Sequence, residues 1–179
     1  MGIFLPASDE LFLSLVTSKV TSDCLVDCLV QWWAHVCGRF AHLTTLVLNL
    51  DDGPENHRRR TQFMLRLLEF AQQTELHLRL AYYPPYHSKY NPVERCWGIL
   101  ENHWQGSLLD SLETVLQFAR TMTWTGAPPI VEVVTTAYQT GVTLTKPAMA
   151  HVEAHLERLP DREKWFVGIA CSPQAIRDA

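Results

Sequence analysis

The sequence lacks a surplus of positive charge: 15 Lys and Arg face 19 Asp and Glu, for a formal net charge of -4. That excludes a protein that coats DNA through its overall field, so any nucleic-acid contact has to come from a local patch. It also lacks a membrane span, since Asp, Ser, Gln or Pro interrupts every apolar run well short of the ~20 residues a crossing needs. No basic residue precedes the apolar start Met1-Gly2-Ile3-Phe4-Leu5-Pro6, which argues against a secretion signal, and Pro6 stands where a myristoylation motif needs Ser or Thr. A cytoplasmic protein is expected. The five cysteines are odd in number and form no Cys-x-x-Cys pair, so neither a disulfide frame nor a zinc knuckle is indicated. Repeats and low-complexity tracts are absent too. With 179 residues, 47% of them hydrophobic, the chain is long and apolar enough to bury a core, which excludes intrinsic disorder.

What is there changes period in a readable order. Ile3-Phe4-Leu5 and Leu11 to Val16 are apolar runs separated by Pro6-Ala7-Ser8-Asp9-Glu10, the pattern of two strands joined by a hairpin turn. From about Ser22 to Cys37 the period becomes helical: Leu25, Leu29, Trp32, Trp33 and Val36 share a face, Ser22 is placed as N-cap, and Gly38 ends the helix. Leu46-Val47-Leu48-Asn49-Leu50 reads as a strand that stops at Asp51-Asp52-Gly53-Pro54. An amphipathic helix from about His57 to Gln73 and a strand through Leu76, Leu78 and Leu80 follow. Strand, helix, strand at this spacing is a βαβ crossover, which makes the two strands parallel.

In open sheets of this kind ligands collect beyond the carboxyl ends of the strands, where Asp51 and the Tyr82-Tyr83-Pro84-Pro85 segment lie. The next helix opens at Asn91-Pro92-Val93-Glu94, with Asn as N-cap, Pro at the first helical position and Glu at the third. Taken alone, Glu94 reads as the acid of a capping box, reaching back to the N-cap amide. Taken with Asp51, it reads as one of two carboxylates on a single cleft. Such a pair repels unless a hard cation such as Mg²⁺ lies between them, and that pairing suits phosphodiester chemistry.

Three stretches carry a resemblance: Asn49-Leu50-Asp51-Asp52-Gly53-Pro54-Glu55-Asn56, then Arg59-Arg60-Thr61-Gln62-Phe63, and above all the block from Tyr82-Tyr83-Pro84-Pro85 through Asn91-Pro92-Val93-Glu94 to Trp97. The chain resembles the catalytic domain of bacterial insertion-sequence DDE transposases of the ISAzo-thirteen type, distant relatives of the Tc/mariner group. The likeness runs from the first strand to about Trp165. It implies an α/β, ribonuclease H-like fold, a mixed sheet flanked by helices, in which three acids bind two Mg²⁺ (or Mn²⁺) and cut and join DNA at transposon ends. Asp51 matches the second acid and Glu94 the third. Asp52 stands where the family usually has Asn, adding a negative charge beside the site.

In such proteins the first acid lies on a strand ahead of the hairpin. The resemblance therefore implies that this first strand and the N-terminal DNA-binding region are missing here. Asp9 falls in the hairpin turn, and Asp23 and Asp27 fall on a helix, so none of them replaces that acid by position. The missing strand would be central in the sheet. A fold without it is expected to be marginal, or to take a strand from elsewhere. With two acids of three, negligible turnover is expected from the chain alone. The organisation that follows is a partial catalytic core over residues 1–106 and a C-terminal helical extension over 107–179. Its partners would be transposon-end and target DNA, and a full-length transposase or a second copy. The competing expectation is a non-catalytic remnant that binds DNA or transposase and modulates a full-length enzyme.

The remaining features have mostly structural readings. Arg58-Arg59-Arg60 reads equally as a solvated helix start or as a grip on a DNA phosphate, and His87, Lys89 and Arg95 share that second reading. Ser107 to Trp124 reads as an amphipathic helix with Leu109, Leu112, Leu116 and Ala119 inward. His151 and His155 stand one turn apart on a helix from about Lys146 to Arg158, and they read as a solvated face rather than metal ligands.

Overall fold

The apolar runs on either side of the Pro6–Asp9 turn pair as expected. In the computed structural model, which describes residues 1–84, 91–159 and 161–172, β1 (Gly2–Leu5) runs antiparallel to β2 (Glu10–Val16). Asp9 closes the turn with a φ of 55°, a left-handed conformation that Asp tolerates better than most residues. The chain forms two compact units, Met1–Lys19 with His87–Ala137 and Val20–Tyr86 with Tyr138–Ala179.

In the first unit β2 is central, flanked by β1 and, in parallel, by β5 (Ile130–Val134). Two helices, α3 (Pro92–Trp104) and α4 (Leu112–Thr121), pack with this sheet. Leu11 and Leu13 of β2, Cys96 and Leu100 of α3, and Ala119 and Met122 at the end of α4 form its core. Gly2 is required by proximity: a Cβ there would stand 2.8 Å from the Trp97 ring. α4 is shorter than the periodicity suggests. Ser111 caps it, accepting from the Thr114 amide at 3.1 Å, and this leaves Leu109 and Leu112 exposed and only Leu116 and Ala119 buried.

The second unit holds the crossover. β3 (Thr45–Leu50), α2 (Thr61–Thr74) and β4 (His77–Tyr82) follow one another, with β3 and β4 parallel and Leu50 level with Tyr82. β7 (Phe166–Ile169) and β6 (Leu156–Arg158) add antiparallel strands, for the order β3-β4-β7-β6. α2 buries Phe63, Met64, Leu67, Leu68, Phe70 and Ala71 and packs on α1 (Ser22–Val36), α5 (Lys146–Glu153) and β7. Thr21, not Ser22, caps α1, accepting from the Cys24 amide, and a 3₁₀ turn at Cys37–Arg39 ends it. Arg66 on α2 meets Asp23 at 3.3 Å, Asp27 at 2.5 Å and Glu69 at 2.9 Å. The two α1 acids are therefore taken up in tying helix to helix.

The architecture is α/β, with mixed sheets flanked by helices. Instead of one sheet, the described residues form two, of three and four strands. Among the described residues, β1 and β3 each keep an unpaired outer edge in their own sheet. Residues 107–179 contain β5, β6 and β7 as well as helices, so they are not a purely helical extension. α5 stops at Glu153, and His155 beyond it is buried rather than solvated, with its Nδ1 3.0 Å from the His151 carbonyl oxygen. Among the described residues no helix is long and apolar enough to cross a membrane.

Cys24, Cys28 and Cys96 are buried free thiols, whereas Cys37 and Cys171 are partly exposed. Burial pushes the Cys24 and Cys96 thiols up from 9.0 to about 11, with Cys28 beside Cys24 adding to the effect there. A thiol reagent at about pH 8 is expected to label Cys37 and Cys171 in the native protein and the other three only on unfolding. Prompt labelling of all five would contradict this packing. Because the folded state holds these two protons more tightly, their contribution is intact below pH 9.0 and is lost as pH rises toward about 11.

Candidate active site

Asp51 follows the last residue of β3, and Tyr83 follows the last residue of β4 at the same level, its amide donating to the Leu50 carbonyl at 2.9 Å. The strand-end position expected of the acid is therefore realised. Beyond Asp51 the Gly53-Pro54 turn folds the chain back, and Asn56 Nδ2 donates to Asp51 Oδ1 at 2.6 Å. The Asn56 carbonyl in turn accepts from the Tyr82 hydroxyl at 3.1 Å. Tyr82 is buried, and burial, reinforced by the negative charge of Asp52, pushes its hydroxyl pKa well above the ordinary tyrosine value. It serves as a neutral donor.

Glu55 fastens the same loop to α1. Its carboxylate accepts from the Ser22 amide and hydroxyl, both at 3.2 Å, and its backbone carbonyl accepts from the Ser22 hydroxyl at 2.8 Å. A carboxylate at the positive end of a helix is favourably placed. The arginine run precedes α2 rather than opening it, since α2 begins at Thr61. Arg60 pairs with Glu55 at 3.0 Å and Arg58 with Asp52 at 3.3 Å, while Arg59 is exposed. Arg58 thus partly offsets the extra charge of Asp52.

Glu94 belongs to the first unit, at the third position of α3, and both it and Arg95 are exposed. Asn91 caps α3 by accepting from the Val93 amide at 3.3 Å, and Pro92 holds the first helical position. The reciprocal half of a capping box is not made: among the described residues the Glu94 carboxylate accepts no hydrogen bond and forms no ion pair. The capping-box reading of Glu94 is therefore not realised, and what remains of a structural role is the favourable placement of an acid in the first turn of α3.

The family model described as Rhodopirellula transposase DDE domain matches residues 1–171. The chain belongs to this family of DDE transposase domains. No curated protein and no solved structure matches it.

As a DDE transposase domain, the chain presents Asp51 in one unit and Glu94 in the other. Both are exposed carboxylates, the hard oxygen donors that Mg²⁺ and Mn²⁺ prefer. Among the described residues no group of three or more His, Cys, Asp or Glu side chains could hold a metal ion. His87 and Lys89 lie outside the described residues. Sequence reasoning missed Asn56, Tyr82 and Glu55 as the frame of the Asp51 loop. The usable signal was Gly53-Pro54, a turn that brings the residues on either side of it together.

Proposed function

We propose that this transposase domain supplies the second and third acids, Asp51 and Glu94, of a Mg²⁺- or Mn²⁺-dependent DNA-cleaving and strand-joining centre of ribonuclease H-like type, distantly related to the Tc/mariner group. The supporting observation is the pair of exposed carboxylates, neither of them taken up by an ion pair among the described residues, within a chain that matches the DDE family over residues 1–171. When bound, the cations supply Lewis acidity at the phosphate and activate the attacking hydroxyl. The residues of the chain hold the carboxylates and the DNA backbone. Exposed Arg59 and Arg95, with His87 and Lys89, contact phosphates, and Arg58 and Arg60 can exchange their surface ion pairs, worth ~0–1 kcal/mol, for a phosphate. Residues 1–106 form the acid-bearing core and 107–179 its extension, acting in the cytoplasm on transposon-end and target DNA.

The first acid, on this reading, lies on a strand paired with the free edge of β3, and without it turnover is negligible. β3 suits that role. Its sequence Thr45-Leu46-Val47-Leu48-Asn49-Leu50 contains no charge or proline to protect an edge, and Val47 is 55% exposed. The test is a chimera in which residues 1–171 replace the matched segment of an active family member. Metal-dependent strand transfer by the folded chimera is expected, and its absence would overturn the proposal. The same bare edge favours a second reading, a modulator that docks on a full-length transposase or on another copy. Adding the chain to an intact relative should then inhibit strand transfer, and no inhibition at any dose would exclude it.

A further inference from the structure

The loop after β3 contains an arrangement that catalysis by Asp51 does not by itself require. A carboxylate only accepts hydrogen bonds, so the Asn56 atom 2.6 Å from Asp51 Oδ1 has to be the amide nitrogen. This orientation leaves Asn56 Oδ1 buried with no partner, an unfavourable state that the fold retains. The surroundings keep it that way. Tyr82 holds the Asn56 carbonyl from the end of β4, and the adjacent Glu55 is fastened to Ser22 and Arg60. Gly53 makes room for the loop to close: a Cβ there would lie 3.0 Å from Asn56 Oδ1 and 3.5 Å from Asp51 Oδ2. Among the described residues, no hydrogen bond reaches Oδ2.

We infer that Asn56 is a positioning residue for Asp51: it engages Oδ1, stops the exposed carboxylate from rotating, and leaves Oδ2 available as a donor for a cation. The inference rests on the reading of Asp51 as a cation ligand. Asp52, the other carboxylate nearby, pairs with Arg58 instead. A ligand oriented in this way binds more tightly because less freedom is lost on coordination, and removing such a support typically weakens metal binding about 10- to 100-fold.

Two measurements on the full chain test it. In Mn²⁺ titrations followed by electron paramagnetic resonance, Asn56→Ala and the near-isosteric Asn56→Leu are expected to bind at least about tenfold more weakly than the parent. In nitrogen–proton correlation spectra, the Asn56 side-chain amide pair should move in Asp51→Ala and stay in place in Asp52→Ala, a readout that does not depend on either Asn56 variant folding. If Asp51→Ala loses Mn²⁺ while folded Asn56 variants keep it, Asn56 has no positioning role and the metal reading stands; if the amide pair ignores Asp51→Ala, Asn56 has no positioning role whatever the titration shows. If Asp51→Ala binds Mn²⁺ unchanged, the metal reading itself is overturned.

Discussion

In the strand-transfer assay on the chimera, Asp51→Asn and Glu94→Gln are each expected to lower the rate by on the order of 10⁴-fold. Either substitution keeps the shape of the side chain and removes only its charge. Asp51 and Glu94 are exposed, so neither change disturbs a core or strips a charge from a buried partner. The loss would therefore come from the chemistry. Groups that act on one reacting phosphate fail as a unit, which is why the expected effect of one acid is nearly that of both together. A double variant that falls no further than either single one would show this directly. Asp52→Asn, which neutralises the neighbouring acid and releases Arg58, is the matched control. A loss of only a few-fold in Asp51→Asn, with the Asp52 control unchanged, would mean that the strand-end acid is peripheral.

The second large effect is on stability. Leu67 is fully buried on α2, the crossover helix that packs on α1, α5 and β7. Leu67→Ala removes apolar contact and leaves a cavity that rigid neighbours on several sides cannot fill, at a cost of about 2–5 kcal/mol. Against a total of ~5–15 kcal/mol for a domain, that is a large fraction. Leu112 offers the contrast. Its apolar spacing places it inward, yet it is 43% exposed at the start of α4, and Leu112→Ala should stay within about 0.5 kcal/mol. Denaturant unfolding of both variants decides the matter: equal costs would mean that the α4 boundary lies where the periodicity places it, not at Ser111.

Leu67 and Leu112 differ in how far local sequence fixes their surroundings. The hairpin, the parallel β3–β4 pair and helices α1, α2 and α3 were legible because each spans enough residues for its apolar period to show. The start of α4 was not, because Leu109 and Leu112 continue the spacing of Leu116 and Ala119 while the Ser111 cap determines where the helix begins. β5, β6 and β7 escaped for a different reason. They are three to five residues long, β6 being Leu-Glu-Arg, and β5 and β7 pair with strands far away in the sequence, so no local pattern marks them. At the site, the strand-end position of Asp51 and the helix-start position of Glu94 were both legible from turn and cap residues. The clamp on Asp51 was not, since it joins residues five apart through a turn whose geometry composition alone does not specify. The pairing of Arg58 with Asp52 and Arg60 with Glu55 was hidden in the same way, behind what looks like a simple basic run.

On the proposed reading, Asp51 and Glu94 are cation ligands. Calorimetric titration of the chain with Mn²⁺, beside Asp51→Ala and Glu94→Ala, tests it most directly. Weak binding by the parent chain, lost in both variants with the fold retained, is the expected result. Binding that is unchanged in both variants would show that the two carboxylates are structural and would contradict the account.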